Sequence, residues 1–472
     1  MSFMTDYPLE PDRRAMEEMG RRALALVADF VDGLPAAPAS NAHDIGPRLA
    51  EYLRPPGEGP GDVGDLLDRF GEAAAVAVDT AGPHYMAYVG GGGLFTSALA
   101  EMVARAFNRY TTLSSFAPAL VALEESVLRW LCRQFGLPND AGGVTTTGGS
   151  LATLVAVVAA RHDRLGDDFA TGTLYVTAHT HRCVAKAARL AGLPPEAVRT
   201  VPTTSDLRMD PAAAAQMITR DRARGLRPFL VVASAGTTST GAVDPIGELA
   251  RLAQSEGLWN HVDAAYGGFF QLTERGRARF AGIERADSVV LDPHKGLFLP
   301  HGTGILLVRN PAAVRAAHAV DGAYLQDLDA DRPLPDYAEL GPELTRDYRG
   351  LRIWLPLHLH GIGAFRQALD EKLDLAAWAH RELSADPALD LPWEPDLSIV
   401  PFRLRGDDSA DGDNPRLLER INATKHLYLS STRIDGRQFL RLCIISHRTH
   451  RPDVEDAVRV IRAAVASGVP AA

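Results

Sequence analysis

The chain has 472 residues, enough for one large domain and one or two smaller ones. Hydrophobic residues make up 46% of the chain and charged residues 23%, values that are ordinary for a soluble globular protein and that exclude a collagen-like or disordered chain. The 49 basic and 59 acidic side chains give a net charge of -10, which disfavours a nucleic-acid partner.

The N-terminal residues and the cysteines bear on cellular location. Charged residues stand where a signal peptide needs an apolar stretch, and the best apolar run, residues 151–160, is far shorter than the roughly 20 residues that span a membrane. Cys132, Cys183 and Cys443 are widely spaced and form no CxxC motif, which argues against a disulfide framework or structural zinc. We therefore expect a cytoplasmic protein with no membrane partner.

The first part of the chain predicts a helical arm. Apolar residues between positions 11 and 34 recur at steps of three and four, which is typical of an amphipathic helix. Segments rich in proline and glycine at 35–40 and 54–62 then break the chain around short helical pieces. We predict that residues 1–82 form an arm that contacts a partner subunit.

Residues 83–355 predict a large α/β domain. Runs typical of strands at 173–177, 229–233, 258–262, 288–291 and 304–308 alternate with helical segments. This alternation favours a mostly parallel central sheet with helices on both faces, in which ligands bind at the carboxyl ends of the strands.

The remainder predicts a small α+β domain at 356–472, with helices at 357–383 and 454–464 and strands at 399–403 and 439–445. Between the two domains, residues 322–350 are rich in proline and charge and show little periodicity. A loop of this length is typically functional or mobile.

Three motifs carry residues with a possible chemical role. The turn 145–150 (TTTGGS) precedes an apolar helix and could bind phosphate through free N–H groups, or could serve only to start the helix. Asp263 follows an apolar strand and has small neighbours, although a turn carboxylate is the alternative. Lys295 lies beside His294 in an apolar segment, where burial would lower the proton affinity of its amine; the alternative is a surface lysine.

The combination of these motifs suits pyridoxal 5'-phosphate (PLP). The turn would hold the phosphate, Lys295 would form a Schiff base, and Asp263 would pair with the pyridine nitrogen. An ion pair at about 4 Å and an effective dielectric constant of 20 is worth roughly 4 kcal/mol, or about 3 pK units. Such a pair keeps the ring nitrogen protonated at neutral pH and makes the ring an electron sink.

The motifs HVDAAYGG (261–268) and DPHK (292–295) resemble those of the group II PLP-dependent decarboxylases, and most of all the aromatic-L-amino-acid decarboxylases. The resemblance extends from about Leu9 to the C-terminal helix. It implies a fold-type-I enzyme in which Ala265 packs under the cofactor ring, His179 stacks over its other face and Asp244 lies near its substituents. The predicted cofactor-binding residues are Gly148, Gly149, Ser150, His179, Thr238, Asp263, Ala265, Asp292, His294 and Lys295.

Two departures from the family pattern concern the predicted phosphate site. The family more often has small hydroxylated residues at Gly148 and Gly149, and it frequently has asparagine where Asp292 stands. Backbone N–H groups can replace the missing hydroxyls. An acidic side chain beside a phosphate is harder to explain, because both groups are negative. A direct contact of Asp292 with the phosphate is therefore left open.

The resemblance also bears on catalysis and product. Tyr337, in the motif PDY, matches a family tyrosine that reaches the active site of a dimer mate, and a phenol is a suitable acid for protonating the substrate α-carbon with help from His179. Relatives with phenylalanine at this position typically form an aldehyde, so Tyr337 favours an amine. The predicted catalytic residues are Lys295, Tyr337, His179 and Asp263.

The substrate side is predicted from Tyr88, Tyr110, Thr112 and His301. Gly296 and Thr112 stand where the family usually or often has aromatic residues, so a bulky aliphatic or polar substrate is as plausible as an aromatic one. No metal ligands are assigned, because His179 and His181 have no third ligand at useful spacing.

The resulting prediction is a homodimeric PLP-dependent L-amino acid decarboxylase that forms an amine and carbon dioxide. The alternatives are an oxidative reaction that forms an aldehyde, a transamination, or a non-catalytic cofactor-binding protein.

Overall fold

The computed structural model describes residues 7, 9–43, 45–320, 333–406 and 412–468. A seven-stranded sheet forms its centre, in the order β1-β7-β6-β5-β4-β2-β3. The strands are β1 Gly142–Thr146, β2 Gly172–Thr177, β3 Val198–Val201, β4 Arg227–Ser234, β5 Trp259–Asp263, β6 Ser288–Leu291 and β7 Gly304–Val308. Strands β3, β2, β4, β5 and β6 run parallel, whereas β7 is antiparallel to both β6 and β1. The prediction of a mostly parallel sheet in an α/β fold is confirmed.

The helices that carry or cover these strands follow the chain order. Those of the arm and the large domain are α1 Arg13–Gly33, α2 Leu49–Tyr52, α3 Val63–Ala75, α4 Phe95–Phe107, α5 Pro118–Gln134, α6 Gly149–Leu165, α7 Cys183–Leu190, α8 Pro211–Ala223, α9 Ile246–Glu256, α10 Glu274–Arg279, α11 Pro293–Gly296 and α12 Pro311–His318. Those that follow are α13 Gly350–Ser384, interrupted at Gly361, α14 Asp413–Ala423 and α15 Arg451–Ala466.

A second, antiparallel sheet lies in the C-terminal part of the chain. Its strands are β8 Leu389–Asp390, β9 Ile399–Leu404, β10 Ser430–Ile434 and β11 Arg437–Cys443, in the order β10-β11-β9-β8. The Tyr266 hydroxyl accepts a hydrogen bond from the Ser398 N–H at 2.9 Å and so ties this sheet to the large domain. The predicted domain boundaries at 82 and 355 stay a prediction, although α13 begins at Gly350, before the second of them.

The sequence predicted five of the seven central strands and missed β1 and β3. Two glycines open β1, and glycine has a low strand propensity, so this segment was predicted as a turn. The structure gives a reason for the glycine: a Cβ atom on Gly143 would lie 2.5 Å from the carbonyl oxygen of Leu306 in β7. The close approach of two backbones therefore excludes the side chains that normally mark a strand.

The N-terminal arm leaves an apolar face exposed. Helix α1 starts after Asp12, whose carboxylate accepts a hydrogen bond from the Ala15 N–H at 2.7 Å. Within this chain α1 contacts α3, yet Met16, Leu24 and Phe30 stay largely exposed. Burying such a face is the usual fate of an amphipathic helix, so α1 has surface to offer a further partner.

Two other predictions concern features of the whole chain. Among the described residues, no helix is both long and apolar enough to cross a membrane. Cys132, Cys183 and Cys443 are buried free thiols, in agreement with the expectation that they form no disulfide framework. Of the predicted mobile loop 322–350, residues 322–332 lie outside the described residues; the rest includes a 3-10 turn at Tyr337–Glu339.

Candidate active site

The carboxyl ends of β4, β5 and β6 face the start of α6 across a cavity of about 280 Å³. Parallel strands bring their C-terminal residues to one edge of the sheet, which is where ligands bind in this class of fold. The predicted residues at this cavity are Gly148, Gly149, Ser150, Thr238, Asp263, Ala265, Asp292, His294 and Lys295. The structure thus brings together every predicted cofactor-binding residue except His179.

One wall of the cavity is the turn that starts α6. Gly148, Gly149 and Ser150 lie there at the positive end of a 17-residue helix, where N–H groups are free of helical partners. A Cβ atom on Gly149 would come 2.9 and 3.1 Å from the two carboxylate oxygens of Asp292. Glycine at this position therefore lets the end of β6 lie directly against the helix start.

Lys295 lines the same cavity from the short helix α11. Its Nζ atom is 2.9 Å from Asp292 Oδ2. Burial lowers the pKa of Lys295, but the charges of Asp292 and Asp263 outweigh burial, and the pKa is raised above its usual value. The sequence predicted a lysine of lowered proton affinity in a dry pocket. That expectation is wrong for this chain, because the carboxylate three residues earlier stabilises the ammonium form.

Asp263 closes β5 and is 7% exposed. Its Oδ1 atom accepts a hydrogen bond from the Ala265 N–H at 3.2 Å, which fixes the carboxylate relative to the small residue beside it. Cys183 lines the same cavity. Burial and the negative charge of Asp263 raise the pKa of its thiol to about 12, so the thiol is neutral. Asp263 and Asp292 are therefore the negative groups that face Lys295.

Besides His294, the imidazole in the cavity lining is that of His181, whereas His179 is not part of the lining. The Cys183 N–H donates to His181 Nδ1 at 3.3 Å, which leaves the proton of the neutral ring on Nε2. His179 lies two residues away, outside the cavity lining, and burial lowers its pKa. The sequence motif TAHTH (177–181) indicated the right turn, but it did not reveal which of the two histidines faces the cavity.

Comparison with known proteins decides the family. A model of the pyridoxal-dependent decarboxylase conserved domain matches residues 60–405. An aromatic-L-amino-acid decarboxylase from Bacillus atrophaeus is 31% identical over 464 residues, which covers 96% of each chain. The chain belongs to the pyridoxal-dependent decarboxylase family. It is accordingly an amino acid decarboxylase, and its cofactor is PLP.

Solved structures agree with this assignment. The crystal structure of Oryza sativa TDC with PLP and tryptamine has a TM-score of 0.92 at 26% identity, covering 98% of this chain and 99% of that one. Rhodiola rosea 4-hydroxyphenylacetaldehyde synthase has a TM-score of 0.89 at 23% identity, covering 97% and 99% of the two chains, and this likeness shows the shared fold alone.

The residues around the cavity of this decarboxylase fit PLP. They supply an amine, a carboxylate at the end of the neighbouring strand, and a glycine turn at a helix start, which are the three groups that the cofactor needs. Asp292 Oδ1 is a buried oxygen with no hydrogen-bond partner among the described residues, so it is available to a bound group. The amine thus matches the carbonyl group of the cofactor, the carboxylate matches its ring nitrogen, and the glycine turn matches its phosphate.

Tyr337 of this decarboxylase lies away from the cavity. It is 2% exposed, its hydroxyl is 3.4 Å from Glu125 Oε2, and the Arg346 guanidinium lies 4.0 Å from its ring centroid. Burial, followed by the charges of Glu124 and Glu125, raises its pKa well above 10. The phenol is therefore neutral here, and the structure does not bring it to the Lys295 cavity of its own chain.

The predicted substrate residues also lie outside the cavity lining. Tyr88 is exposed, Thr112 is fully buried, and the Tyr110 hydroxyl donates to the Leu344 carbonyl at 2.8 Å. His301 comes nearest, with its ring 5.5 Å from that of His294. Among the residues that the structure describes, none of these four lines the Lys295 cavity.

The sequence missed several residues of the lining, among them Ser234 and Tyr266. Ser234 could have been found, because it ends β4 at the position paired with Asp263. Asp244 was expected near the cofactor, but its carboxylate instead accepts the Ser234 and Met209 N–H groups, each at 2.7 Å, and so holds the end of β4. Burial raises its pKa to about 6.

Away from the cavity, the described residues include one group with metal-ligand spacing, His84, His426 and Asp456. None of the three lines the Lys295 cavity. Within that group, the His426 ring contacts the Asp456 carboxylate.

Proposed function

We propose that this decarboxylase removes the carboxyl group of an L-amino acid with a bulky aromatic, aliphatic or polar side chain and releases the amine. The observation that carries the proposal is the single cavity that Lys295, Asp263 and the glycine turn share. The named relatives that act on aromatic L-amino acids, tryptophan or tyrosine support the aromatic end of this range.

PLP, when bound, accepts the electron pair that the departing carboxyl group leaves at the substrate α-carbon. Lys295 would supply the amine that holds the cofactor. Asp263 keeps the ring nitrogen protonated, and a pair of this kind is worth roughly 4 kcal/mol at about 4 Å. The buried position of Asp263 excludes water and strengthens this pairing.

His181 takes the role that the sequence gave to His179, namely a flat ring over one face of the cofactor. Its lining position and its Nδ1 hydrogen bond support this proposal. The hydrogen bond fixes the plane of the ring and leaves Nε2–H free to donate towards the substrate. Ala265 lines the same cavity, and its small side chain leaves room for the other face of a flat ring.

Tyr337 is proposed as the acid that returns a proton to the α-carbon, in the active site of a second copy of the chain. The support for this role is the motif PDY and the chemistry of a phenol. Tyr266 is the one phenol in the described cavity lining. For Tyr337 to reach a substrate, its hydroxyl has to leave Glu125, so the segment around it has to move.

A homodimer is proposed on two grounds. The apolar faces of α1 and α4 are exposed, with Phe30 and Phe107 among their uncovered side chains. Tyr88, Tyr110, Thr112 and His301 line no pocket with Lys295 in one chain. A second copy that covers these faces would complete the substrate side. The three buried free thiols support a reducing, cytoplasmic location.

The position of Tyr337 favours one second candidate, an oxidative reaction that gives an aldehyde. A site without its proton donor leaves the α-carbon open to dioxygen, which would yield aldehyde, ammonia and hydrogen peroxide. The amine reading is preferred because Tyr337 is present to supply the proton.

The test is incubation of the PLP-loaded protein with the twenty L-amino acids plus ornithine, diaminobutyrate and dihydroxyphenylalanine. Mass spectrometry follows amine, aldehyde and carbon dioxide, and a coupled assay follows peroxide. Carbon dioxide with one matching amine is the expected result. Aldehyde with stoichiometric peroxide would replace the proposal by the oxidative candidate.

A further inference from the structure

Asp292 occupies an unusual place for an acid. It follows β6, is 3% exposed, and puts Oδ2 within 2.9 Å of the Lys295 ammonium. Its other oxygen, Oδ1, is buried, and none of the described residues bonds to it. A carboxylate oxygen that is buried without a donor costs free energy, so this atom has capacity for a further hydrogen bond.

The carboxylate adjoins the proposed seat of the cofactor phosphate. A Cβ atom on Gly149 would lie 2.9 and 3.1 Å from the two carboxylate oxygens, so these oxygens lie against the first residue of α6. The free N–H groups at this helix start are expected to hold the phosphate. A phosphate dianion in this seat would therefore meet a second anion at close range. Two like charges in one buried site cannot both be retained at low cost, and one of them takes up a proton.

The neighbouring groups do not supply the missing positive charge. Burial lowers the pKa of His294, and its Nδ1–H donates to the Thr303 carbonyl at 2.7 Å, so the neutral ring turns an unprotonated Nε2 towards Asp292 Oδ2 at 3.7 Å. Lys295 is the one cation in the described cavity lining, and its single positive charge interacts with the carboxylates of both Asp263 and Asp292. The other titratable groups that face the site are Cys183 from α7, His181 from the turn after β2, Tyr266 after β5 and His301 beside His294.

We propose that Asp292 takes up one proton from solvent when the PLP phosphate binds and then donates this O–H to a phosphate oxygen. No other bond forms or breaks in this step. The proposal rests on the phosphate seat described under the proposed function. Once protonated, Asp292 has a hydrogen-bond donor, as an asparagine would have at this position. Because the uptake of a proton becomes less favourable as pH rises, the phosphate then contributes less to cofactor affinity.

The test compares PLP with pyridoxal, which lacks the phosphate but forms the same bond with Lys295. Titration calorimetry of the full-length, cofactor-free chain at pH 8, in two buffers of different ionisation enthalpy, counts the protons taken up with each compound. The contribution of Lys295 is common to both compounds and cancels in the difference. At this pH free PLP carries its phosphate as the dianion, because the second pKa of such a phosphate is near 6.

The expected result for the wild-type chain is about one proton more for PLP than for pyridoxal. In Asp292→Asn the two compounds should give the same count. Between pH 7 and 9, the ratio of the pyridoxal and PLP dissociation constants should fall in the wild type by up to about tenfold per pH unit and stay flat in the variant.

Three outcomes would overturn the proposal. The first is an equal proton count for both compounds in the wild type, a comparison that needs no variant. The second is an excess proton that persists in Asp292→Asn, since it would then belong to the phosphate itself. The third is wild-type PLP binding no tighter than pyridoxal, which would remove the phosphate seat. All three are measured without substrate, so they are independent of whether carbon dioxide is released.

Discussion

A buried ion pair beneath Tyr337 gives a sharp test of the energetics. Glu124 and Arg346 are each 1% exposed, and Glu124 accepts two hydrogen bonds from the Arg346 guanidinium at 2.7 and 3.0 Å. The Thr145 hydroxyl donates to the same carboxylate at 2.7 Å. In Glu124→Leu the guanidinium keeps the Thr145 hydroxyl and the Tyr337 ring as neighbours but has no counter-charge.

The expected loss in the free energy of unfolding follows from this burial. Removing one partner of a buried pair leaves an uncompensated charge and costs about 3–5 kcal/mol, whereas replacing both partners with apolar residues is often close to neutral. We therefore expect Glu124→Leu and Arg346→Met each to be strongly destabilising, and the double variant to be more stable than either. Urea unfolding of the PLP-loaded enzyme, followed by circular dichroism, measures all three.

The matched control is an exposed pair in the same region, Arg315 and Glu339, whose side chains are 62% and 33% exposed. Glu339→Gln should cost no more than about 1 kcal/mol because solvent screens this pair. The reasoning fails if Glu124→Leu costs as little as the control, or if the costs of the two buried substitutions simply add in the double variant.

Four substitutions test the proposed roles directly. Lys295→Ala should remove the visible absorbance of the lysine-bound cofactor and slow turnover on the order of 10³-fold or more; turnover near wild type would refute the assignment. Asp263→Ala should slow decarboxylation by roughly 10³-fold, the equivalent of about 4 kcal/mol, and release PLP faster on dialysis; unchanged kinetics would contradict the pairing with the ring nitrogen. His181→Asn should lower kcat by on the order of 10²-fold and far more than His179→Asn does, and the reverse order would return the role to His179. Tyr337→Phe should raise the ratio of aldehyde and peroxide to amine, and an unchanged ratio would exclude Tyr337 as the proton donor.

Sequence reasoning succeeded where local pattern and fold rule coincide. Asp263 and Lys295 each follow an apolar run that became a strand, so the rule that ligands bind at the carboxyl ends of strands located both. The residue pattern failed to predict β1, because the close approach of β7 demands glycine there and hides the strand pattern. The sequence therefore predicted the five inner strands of the sheet, but not its two edge strands, β1 and β3.

The finer features of the site depend on distances that a sequence does not contain. The apolar setting of Lys295 suggested a lowered pKa, but the 2.9 Å contact with Asp292 reverses the sign. His179 and His181 are two residues apart in one turn, and the local backbone before α7 decides which of the two rings faces the cavity. The contact of Tyr337 with Glu125 arises from chain segments more than 200 residues apart, beyond the reach of any local pattern.

The antiparallel step from β6 to β7 has a consequence for tolerated variation in chain length. Lys295 lies in a connection of twelve residues, 292–303, whose two ends are fixed by paired neighbouring strands. The hydrogen bond from His294 to Thr303 joins the third residue of this connection to its last. Residues 292–299 of this connection are buried or half-buried, so an insertion among them cannot be absorbed at the surface and would shift the amine relative to Asp263. Insertions and deletions in this enzyme should therefore be accepted in exposed connections long before this segment, and a loop-length scan of the gene would find 292–299 among its least permissive segments.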